Sequence, residues 1–568
     1  MRVLKPDQSS SQVKTIKPNQ SALIQALLKP EAYPHPVNNV ELIETHISWV
    51  FLTGSYAYKL KKAVHMDFVE ATTLKQRLHF CEEELRLNQR LAPDLYLGIA
   101  QIIGSANQPQ VLEANIEPLE PSMKGVIEVA VKMRQFSGSH LLSTYLKQGV
   151  LQNLSLKDLA LELAEFHLSV ETAPANSDFG GLDAVINPVH ANLRILEQLK
   201  LPDSLNIWLE EHRFWVRTLQ EQLSVRFKQR LTNGAIRECH GDLHAGNIHL
   251  KNNGFLEVFD AIDFNPSLRW IDPISEMAFL TMDIQIRDHQ GDAMLVLNEW
   301  LEHTGDYKAL DLWPWYSAYR ALVRAKVSGL QWQQLCSQKQ LGSVDQQRLL
   351  QLRKDLDLYI ARAGQIQLTK PAGIVLMHGL SGSGKSYVSE MLYQLLPAVR
   401  IRSDVERQRV CGRRPLQKLL GVEKASIERI GHTPSFKGDP YRAEISGWLF
   451  DQCLPSLTQC CLKSGLTTIV DATFLRERER QRMLDMARQE GYSIAIVACE
   501  CSDSTAEKRI TERLKVGADP SEANLNVREL QKAWLEPLTS YEQTLTVRIA
   551  ETTPIKIVVK QLEDLLNY

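Results

Sequence analysis

The stretch "IVLMHGLSGSGKSYV", residues 374–388, predicts the fold of the C-terminal part of the chain. An apolar run typical of a buried strand leads into G-x-x-x-x-G-K-S, with Gly379, Gly384, Lys385 and Ser386 at the fixed positions. In such a loop the backbone N–H groups surround phosphate oxygens, the lysine contacts the outer phosphates, and the serine hydroxyl binds magnesium. The motif therefore predicts a nucleotide-phosphate site at the N-terminus of a helix. The other loop residues expected at the phosphates are Ser381, Gly382 and Ser383.

Strand-like and helix-like segments alternate after this loop. The segments "LTTIVDA", "SIAIVACE" and "PIKIVVK" are predicted to be strands, with helical stretches between them. This alternation is typical of a parallel α/β domain, which we place at residues 367–568. Asp471 ends the apolar run "TTIVD", where a carboxylate that acts on magnesium is expected.

A second motif lies upstream in "RECHGDLHAGNIHL", residues 237–250. Asn247 follows His240-Gly241-Asp242 after four residues, and "LEVFD" ends thirteen residues later at Asp260. Protein-kinase catalytic loops have this spacing, with an Asp that accepts the hydroxyl proton and an Asn that holds magnesium. The alternatives are a polar turn after a strand and a zinc site, which lacks a cysteine or a third obvious ligand. Asp260 and the upstream strands and helix favour the kinase loop.

The segments before this motif predict a sheet followed by helices. "HISWVFL" and "YAYKLKK" flank Thr53-Gly54-Ser55, which is typical of a hairpin turn. Residues 73–91 have apolar side chains three and four positions apart and are predicted to be helical. "AQIIGS" and "GVIEVAVKMRQF" are predicted strands, and residues 141–235 and 274–365 are predicted to be mostly helical.

Residues 40–330 resemble the aminoglycoside phosphotransferase-like kinases. The resemblance rests on "HGDLHAGNIHL", "VFDAIDFNPSLRWIDP" and "YSAYRALVRAKV". It implies a small sheet lobe, about residues 19–137, over a helical lobe, about residues 138–366, with ATP between them. A flexible tail, residues 1–18, is expected before this domain. The turn "LTGSYAY" has one glycine and lacks the G-x-G-x-x-G loop of protein kinases.

The resemblance also implies roles for individual residues. Asp242 is expected to be the catalytic base or to position the acceptor hydroxyl, and Asn247 and Asp260 are expected to bind magnesium. Lys59 is expected to hold the ATP phosphates and to pair with Glu84. Lys61, Glu82 and Glu83 adjoin that pair and are the alternatives to its members. Asp263 either assists the metal or caps the loop. His240 and Asp272 are expected to brace the catalytic loop and not to touch the substrate.

Residues 371–568 resemble P-loop kinases of the polynucleotide-kinase-like group, with an AAA-type ATP-binding domain. Asp404, in "IRSDVERQR", is then expected to face the acceptor hydroxyl. "AEKRITERLKVGADPSEAN" resembles the lid of that group, where Arg513, and Arg509 one turn earlier, would approach the transferring phosphate. Between residues 400 and 418 there are six arginines and one lysine, which predicts an anionic acceptor or, equally, a solvated helix face.

Composition argues against several other classes of protein. The net charge of −2 gives the whole chain no general attraction for nucleic acid or anionic membranes. No run approaches the roughly eighteen apolar residues of a membrane helix. Nine cysteines without a C-x-x-C pair are typical of thiols in a reducing compartment. We therefore expect a soluble cytoplasmic protein without a membrane partner.

The sequence as a whole predicts an α+β protein-kinase-like two-lobed domain followed by an α/β P-loop NTPase domain with a mainly parallel sheet. The expected function is phosphoryl transfer from ATP or GTP, with Mg²⁺, to hydroxyl groups of small molecules. Two alternatives stay open: a P-loop domain that hydrolyses nucleotide as a regulatory switch, and a nucleic-acid 5′-hydroxyl kinase. Scarce aromatic side chains in the basic stretch argue against single-stranded nucleic acid.

Overall fold

The computed structural model divides into two compact units. The first comprises Met1–Asn153 and His240–Trp270, and the second comprises Leu154–Cys239 and Ile271–Tyr568. The predicted tail, up to residue 17, and the basic residues Arg413, Arg414 and Lys418 lie outside the described residues. The described residues are 18–45, 47–66, 69–116, 125–149, 155–174, 177–199, 201, 203–337, 342–367, 372–412, 436, 441–516 and 520–566.

The first unit is built on a six-stranded antiparallel sheet of order β1-β2-β3-β8-β6-β7. Its strands are β1 (Glu41–Glu44), β2 (Ser48–Leu52), β3 (Tyr56–Lys61), β6 (Tyr96–Ser105), β7 (Gln108–Val111) and β8 (Val126–Arg134). Two short hairpins, β4 (His65–Met66) with β5 (Val69–Glu70) and β9 (Ile248–Leu250) with β10 (Leu256–Val258), and the helices α1 (Pro18–Leu27), α2 (Leu74–Asn88) and α3 (Leu142–Gln148) complete it.

The predicted hairpin and helix of this unit are confirmed. The Thr53 N–H donates to the Tyr56 carbonyl at 2.9 Å and closes the β2–β3 turn, where Gly54 takes a φ of 93°. Helix α2 begins at a capping box formed by Thr73 and Gln76, which satisfies N–H groups of its first turn. Because side chains alternate along a strand, Lys59 and Lys61 of β3 point to one face of the sheet.

The second unit contains a helical segment and a parallel sheet. The helices of the segment are α4 (Leu156–Ser169), α5 (Leu182–Gln198), α6 (Asp203–Thr232), α7 (Pro273–Gln285), α8 (Gln290–Thr304), α9 (Trp313–Cys336) and α10 (Ser343–Gln367). Helix α7 is the centre of their packing, because every residue from Pro273 to Ile284 is buried. Short elements of the chain are 3-10 turns at Pro30–Ala32, Gly138–His140, Ala245–Asn247, Pro266–Leu268 and Tyr307–Leu312, and two-residue strands at Arg237–Glu238 and Trp270–Ile271.

The sheet of the second unit has five parallel strands in the order β12-β13-β11-β14-β15. These are β11 (Gly373–His378), β12 (Ala398–Arg402), β13 (Thr467–Asp471), β14 (Ser493–Cys499) and β15 (Thr546–Ile549). The associated helices are α11 (Lys385–Leu395), α12 (Ser403–Val410), α13 (Ala443–Trp448), α14 (Leu454–Leu462), α15 (Glu477–Glu490), α16 (Asp503–Val516), α17 (Leu525–Trp534), α18 (Ser540–Thr544) and α19 (Ile555–Leu566), with a π-helical turn at Leu449–Cys453. Parallel strands bring their carboxyl ends to one edge, which is where such sheets bind ligands.

One predicted strand is wrong. "PIKIVVK" forms the start of helix α19, and the fifth strand is instead β15, four residues before it. The buried side chains Val558, Leu562 and Leu566 recur every four positions, which is the helical period, whereas Ile557 is 52% exposed. The predicted fold class is otherwise confirmed, while the predicted domain boundary at residue 367 stays a prediction.

Two further observations bear on the sequence predictions. No helix in the described ranges is long and apolar enough to cross a membrane. All nine cysteines are among the described residues, and each is a free thiol.

The second unit holds a buried ion-pair cluster whose loss should be measurable. Arg230 binds Asp272 and Asp306 through four N–H···O contacts of 2.7 Å, and all three side chains are buried. We expect Arg230→Met to lower the free energy of unfolding by about 3–5 kcal/mol, because it leaves two carboxylates buried without their cation. Chemical denaturation measures this loss.

The matched control is Arg353→Met, which removes a more exposed helical pair with Asp357. It should change the free energy of unfolding by at most about 1 kcal/mol. Equal effects of the two substitutions would show that the Arg230 cluster contributes no more than a surface ion pair.

Candidate functional sites

The first unit brings together three of the predicted site residues. Lys59 Nζ, on β3, lies 2.6 Å from Glu84 Oε1 on α2 and 2.5 Å from Asp260 Oδ1 in the turn after β10. Glu84 is fully buried and Lys59 is 12% exposed, whereas the Asp260 side chain is 45% exposed. A buried lysine is thus fixed between a structural carboxylate and an accessible one.

The second lysine of β3 forms a parallel set of contacts. Lys61 Nζ lies 2.6 Å from Glu84 Oε2 and 2.5 Å from Asp263 Oδ2. Lys61 and Asp263 are only 3% and 5% exposed, so their charges are turned towards each other and away from solvent. Glu83, the neighbour of Glu84, pairs with Arg269 at 2.8 Å. The geometry favours Lys59 as the lysine that faces a ligand.

The pKa values of these groups differ in direction. Burial lowers the pKa of Lys59, but Asp260 and Glu84 more than compensate, so its pKa lies well above the ordinary value. Desolvation raises the pKa of the Asp260 carboxyl, but Lys59 outweighs this effect and holds the pKa below the ordinary value. For Asp263, burial dominates over the attraction of Lys61 and raises the pKa. Of these two carboxyls, Asp260 is therefore the one whose pKa its lysine lowers below the ordinary value.

Side chains of the predicted catalytic loop form hydrogen bonds that fix the backbone of the loop. His240 Nε2 donates to the Phe259 carbonyl at 2.9 Å, and its Nδ1 accepts from the Asp242 N–H at 3.2 Å. Asn247 Nδ2 donates to the Asp242 carbonyl at 3.0 Å and to its carboxylate at 3.2 Å. Gly241 has a φ of 91°, and a Cβ there would lie 2.9 Å from the Leu268 carbonyl oxygen, so the loop requires glycine at this position.

The backbone at Asp260 is held by side chains that sequence reasoning missed. The Asp260 N–H donates to the Tyr96 hydroxyl at 3.1 Å, and the Ala261 N–H donates to Asn88 Oδ1 at 2.8 Å. Asp260 takes a φ of 66°, a left-handed conformation that such contacts must stabilise in a non-glycine residue. Asn88 lies four positions after Glu84 on α2, and residues with this spacing share one face of a helix. The sequence could therefore have predicted that Asn88 lies on the same face as Glu84.

The donor set of the first site suits magnesium. Asp242, Asn247 and Asp260 offer carboxylate and amide oxygens, the ligands that Mg²⁺ prefers. Because the Asn247 amide nitrogen donates to Asp242, the amide oxygen is the atom that would bind the cation. Asp272 lies in the second unit, where it caps α7 and binds Arg230.

The predicted P-loop of the second unit lies between β11 and α11, and its glycines take positive φ values. Gly379 has a φ of 139°, and a Cβ there would lie 2.6 Å from the Cys499 carbonyl oxygen. Gly384 has a φ of 97° and precedes helix α11. Lys385 is buried and donates to the Leu380 carbonyl at 2.9 Å, and burial lowers the pKa of this lysine. Within the loop, the Ser383 N–H donates to the Leu380 carbonyl. Two contacts come from outside the loop: Gln531 Oε1 accepts from the Ser381 N–H, and Arg509 donates to the Gly382 carbonyl.

The two predicted magnesium ligands of this site lie at adjoining elements. Ser386 is in the first turn of α11, and Asp471 ends the neighbouring strand β13. Ser389, one turn further along α11, donates to Asp471 Oδ2 at 3.3 Å, and Arg402 Nε lies 3.8 Å from the same oxygen. A hydroxyl and a carboxylate form a donor set that suits magnesium, which would neutralise phosphate charge there.

The predicted acceptor and lid residues lie in the same region. Asp404 is the second residue of α12, and its charge opposes the lowering of the Lys385 pKa. Of the lid arginines on α16, Arg509 Nη1 lies 3.5 Å from the Gly382 carbonyl, whereas Arg513 donates to the Ala523 carbonyl at 2.5 Å. Arg509 is therefore the lid arginine that contacts the P-loop.

A cavity of about 550 Å³ adjoins these residues within the second unit. It is bounded by helices α4 and α8 of the helical segment and by β12 and α16 of the P-loop part. Both signs of charge are present in its walls. The charged side chains include Lys157, Glu299, Glu390, Arg402, Arg509 and Arg513.

The arginines of the basic stretch that lie among the described residues have partners within the chain. Arg400 binds Glu302 of α8, Arg407 donates to Ser446, and Arg409 binds Glu406. Glu302 was missed because it lies about one hundred positions from its partners in the sequence. No local pattern marks it.

Comparisons with known proteins agree with a chain of two parts. Residues 374–538 match a family described as AAA domain. An uncharacterised protein of Mycobacterium tuberculosis is 30% identical over 385 residues, which cover 66% of this chain and 71% of that protein. An uncharacterised protein of Mycobacterium bovis matches with the same figures.

Two solved structures are also similar. A choline/ethanolamine kinase family protein from Mesorhizobium loti is 11% identical with a TM-score of 0.33, covering 61% of this chain and 98% of that chain. A gluconokinase from Sinorhizobium meliloti is 20% identical with a TM-score of 0.21, covering 35% of this chain and 92% of that chain.

The two lysines of β3 can be separated by experiment. In a chain that carries Lys385→Ala, we expect Lys59→Met to weaken ATP binding at the first site by about ten- to a hundredfold, the value of a charge-assisted hydrogen bond. The matched variant Lys61→Met should mainly lower the thermal midpoint, because it leaves Asp263 buried without its cation.

Calorimetric titration with Mg-ATP and a thermal melt of each variant make this comparison. A larger loss of affinity in Lys61→Met than in Lys59→Met would assign the phosphate contact to Lys61.

Proposed function

We propose that this chain, which belongs to the family of the Mycobacterium tuberculosis protein, joins an aminoglycoside phosphotransferase-like kinase part to an AAA domain and is a magnesium-dependent phosphotransferase with two nucleotide sites. The proposed donor is ATP, with GTP as the alternative. The proposed acceptors are hydroxyl groups of small molecules, and the proposed location is the cytoplasm.

The observation that carries the proposal is the arrangement of the first unit. Lys59 is held by Glu84 and Asp260, and Asp242 is held by Asn247. These groups come from a strand, a helix and two loops far apart in sequence. The side chains of Asp242 and Asp260 are 38% and 45% exposed. A cluster of ion pairs that only stabilised the fold would not require two carboxylates accessible to a ligand. Phosphoryl transfer needs both.

The reaction at this site would use the chain's own groups as follows. Asp242 accepts the proton of the acceptor hydroxyl as the bond from that oxygen to the γ-phosphorus forms. The bond between the γ-phosphorus and the bridging oxygen breaks, and the nucleoside diphosphate leaves with that oxygen. Lys59 binds phosphate oxygens and keeps them oriented for in-line transfer. Magnesium, held by Asn247 and Asp260, would supply neutralisation of phosphate charge.

The second site would perform the same reaction with different parts. The P-loop N–H groups and Lys385 bind the nucleotide phosphates, and Asp404 orients the acceptor hydroxyl. Arg509 and Arg513 stabilise negative charge on the transferring group. The magnesium ligands proposed for this site are Ser386 and Asp471.

The adjoining cavity supports a small acceptor. Its volume of about 550 Å³ falls within the range of small-molecule sites. Arg402, Arg509 and Arg513 favour an acceptor that carries an anionic group, and the carboxylates in the same walls suit its hydroxyls. A nucleic-acid 5′-hydroxyl is the alternative acceptor, and a steep dependence of binding on salt concentration would identify it.

A second candidate function concerns the AAA domain alone. Its strand β12 is bound by Asn298 and Glu302 of the helical segment, so a nucleotide-dependent change at the P-loop would be felt by helix α8. The domain would then hydrolyse ATP as a regulatory switch. Such coupling would be reciprocal, because each nucleotide would alter the affinity of the other site.

Transfer of label from γ-labelled ATP into a cell-extract metabolite pool tests the proposal. We expect Asp242→Ala and Lys385→Ala each to abolish a different labelled product, since each substitution removes an essential group of one site. Mass spectrometry of the lost products identifies the acceptors.

The control is Asp485→Ala, which alters an exposed aspartate of α15 and should leave both products unchanged. Each variant is first checked for a cooperative thermal melt. If only Lys385 matters and the label ends as free phosphate, the switch replaces the two-site phosphotransferase.

A further inference from the structure

Glu302 links the helical segment to the P-loop sheet. It lies on α8, outside residues 374–538 that match the AAA family, yet it binds two arginines of β12. Its Oε1 accepts from Arg400 Nε at 2.7 Å and lies 2.6 Å from Arg400 Nη2. Its Oε2 accepts from Arg402 Nη1 at 3.5 Å. Glu302 and Arg400 are both buried.

The contacts continue from these arginines to both proposed magnesium ligands. Arg400 Nη1 donates to the Ser386 carbonyl at 3.3 Å and to Ser389 Oγ at 3.4 Å. Ser389 in turn donates to Asp471 Oδ2 at 3.3 Å, and Arg402 Nε lies 3.8 Å from the same atom. One or two side chains therefore separate Glu302 from the groups proposed to hold the cation.

Other residues of the helical segment fix Glu302 against the sheet. Strand β12 is at the edge of the parallel sheet, where backbone groups need partners. Asn298 accepts from the Arg400 N–H at 2.6 Å and donates to the Ala398 carbonyl at 3.0 Å, so its side chain pairs with this edge. The Tyr307 hydroxyl donates to the Arg400 carbonyl at 3.1 Å. The placement of Glu302 is thus rigidly defined.

The charges explain why this carboxylate matters. Arg400 and Arg402 are two cations on one strand, close to the carboxylate of Asp471. Burial lowers the pKa of Arg400, but Glu302 outweighs this effect and raises it, so the arginine stays charged. Without the charge of Glu302, Arg402, whose Nε lies 3.8 Å from Asp471 Oδ2, would pair more closely with that carboxylate and compete there with magnesium.

We propose that Glu302 is a positioning residue of the second site, which binds Arg400 and Arg402 and thereby keeps Asp471 available to magnesium. This inference rests on the proposed function, in which Ser386 and Asp471 hold the cation beside the nucleotide. It makes the helical segment part of the nucleotide site.

The test is the gain in ADP affinity that magnesium provides. Calorimetric titrations of the full chain with ADP, once in Mg²⁺ and once in EDTA, give the ratio of the two ADP affinities. ADP binding that remains in Lys385→Ala belongs to the first site and is subtracted. We expect Glu302→Gln to reduce the gain by about ten- to a hundredfold, as loss of a group that orients a metal ligand does. Affinity in EDTA should stay unchanged, and Glu302→Asp, which keeps the charge, should lose less.

The matched control is Glu542→Gln, which breaks another buried glutamate–arginine pair of the same unit, with Arg480. It should lower the thermal midpoint and leave the magnesium gain unchanged. If Glu302→Gln likewise lowers the midpoint but leaves the gain intact, Glu302 is only a tether and the proposal is overturned. An unsubstituted chain without Lys385-dependent ADP binding would instead overturn the proposed function of this site, and the inference with it.

Discussion

The Glu84 carboxylate, fully buried between two lysines of one strand, is the interaction on which the first unit depends. A carboxylate in that position is costly to bury unless cations compensate it, and Lys59 and Lys61 provide them on the same face of β3. Each lysine then binds a second carboxylate from the segment after β10, Asp260 or Asp263. The sheet, helix α2 and the catalytic-loop segment are therefore joined by one charge arrangement. Of the carboxylates of Glu84, Asp260 and Asp263, that of Asp260 is the accessible one.

The second unit has a comparable arrangement between its helical segment and its parallel sheet. Its P-loop sheet carries buried arginines on β12, and their carboxylate comes from α8 of the helical segment. Burial of Arg400 without that partner would be unfavourable, so the sheet and the helical segment are expected to fold as one unit. The Arg400–Glu302 pair is thus one of the contacts that join the helical segment after Ile271 to the parallel sheet within one compact unit.

The sequence predicted those parts of the structure that depend on residues close together in the chain. The strands and helix around Lys59, and the P-loop from Gly379 to Ser386, were predictable because their turn residues and periodicity lie within short windows. The segment at residues 554–560 misled because β-branched residues favour strands intrinsically, while burial of Val558 and Leu562 on one face favours a helix. Tertiary packing decided the outcome.

Contacts between distant segments were beyond prediction for the same reason. Tyr96 supports the Asp260 backbone across more than 160 positions, and Glu302 binds Arg400 across 98. Neither residue belongs to a motif, and a tyrosine in a strand or a glutamate on a helix is ordinary. The sequence motifs were enough to propose site residues, whereas the groups that contact those residues from distant segments required coordinates.

The two proposed phosphate-binding lysines show how differently the sites manage charge. Lys59 is compensated by carboxylates of the chain, which place its pKa well above the ordinary value. Lys385 is buried against a backbone carbonyl, and burial lowers its pKa because Asp471 and Asp404 do not offset it. Phosphate oxygens would supply the missing negative charge at Lys385, but at Lys59 they must compete with Glu84 and Asp260. Anion binding alone should therefore favour the P-loop site, while the first site depends more on a cation that draws Asp260 away from its lysine.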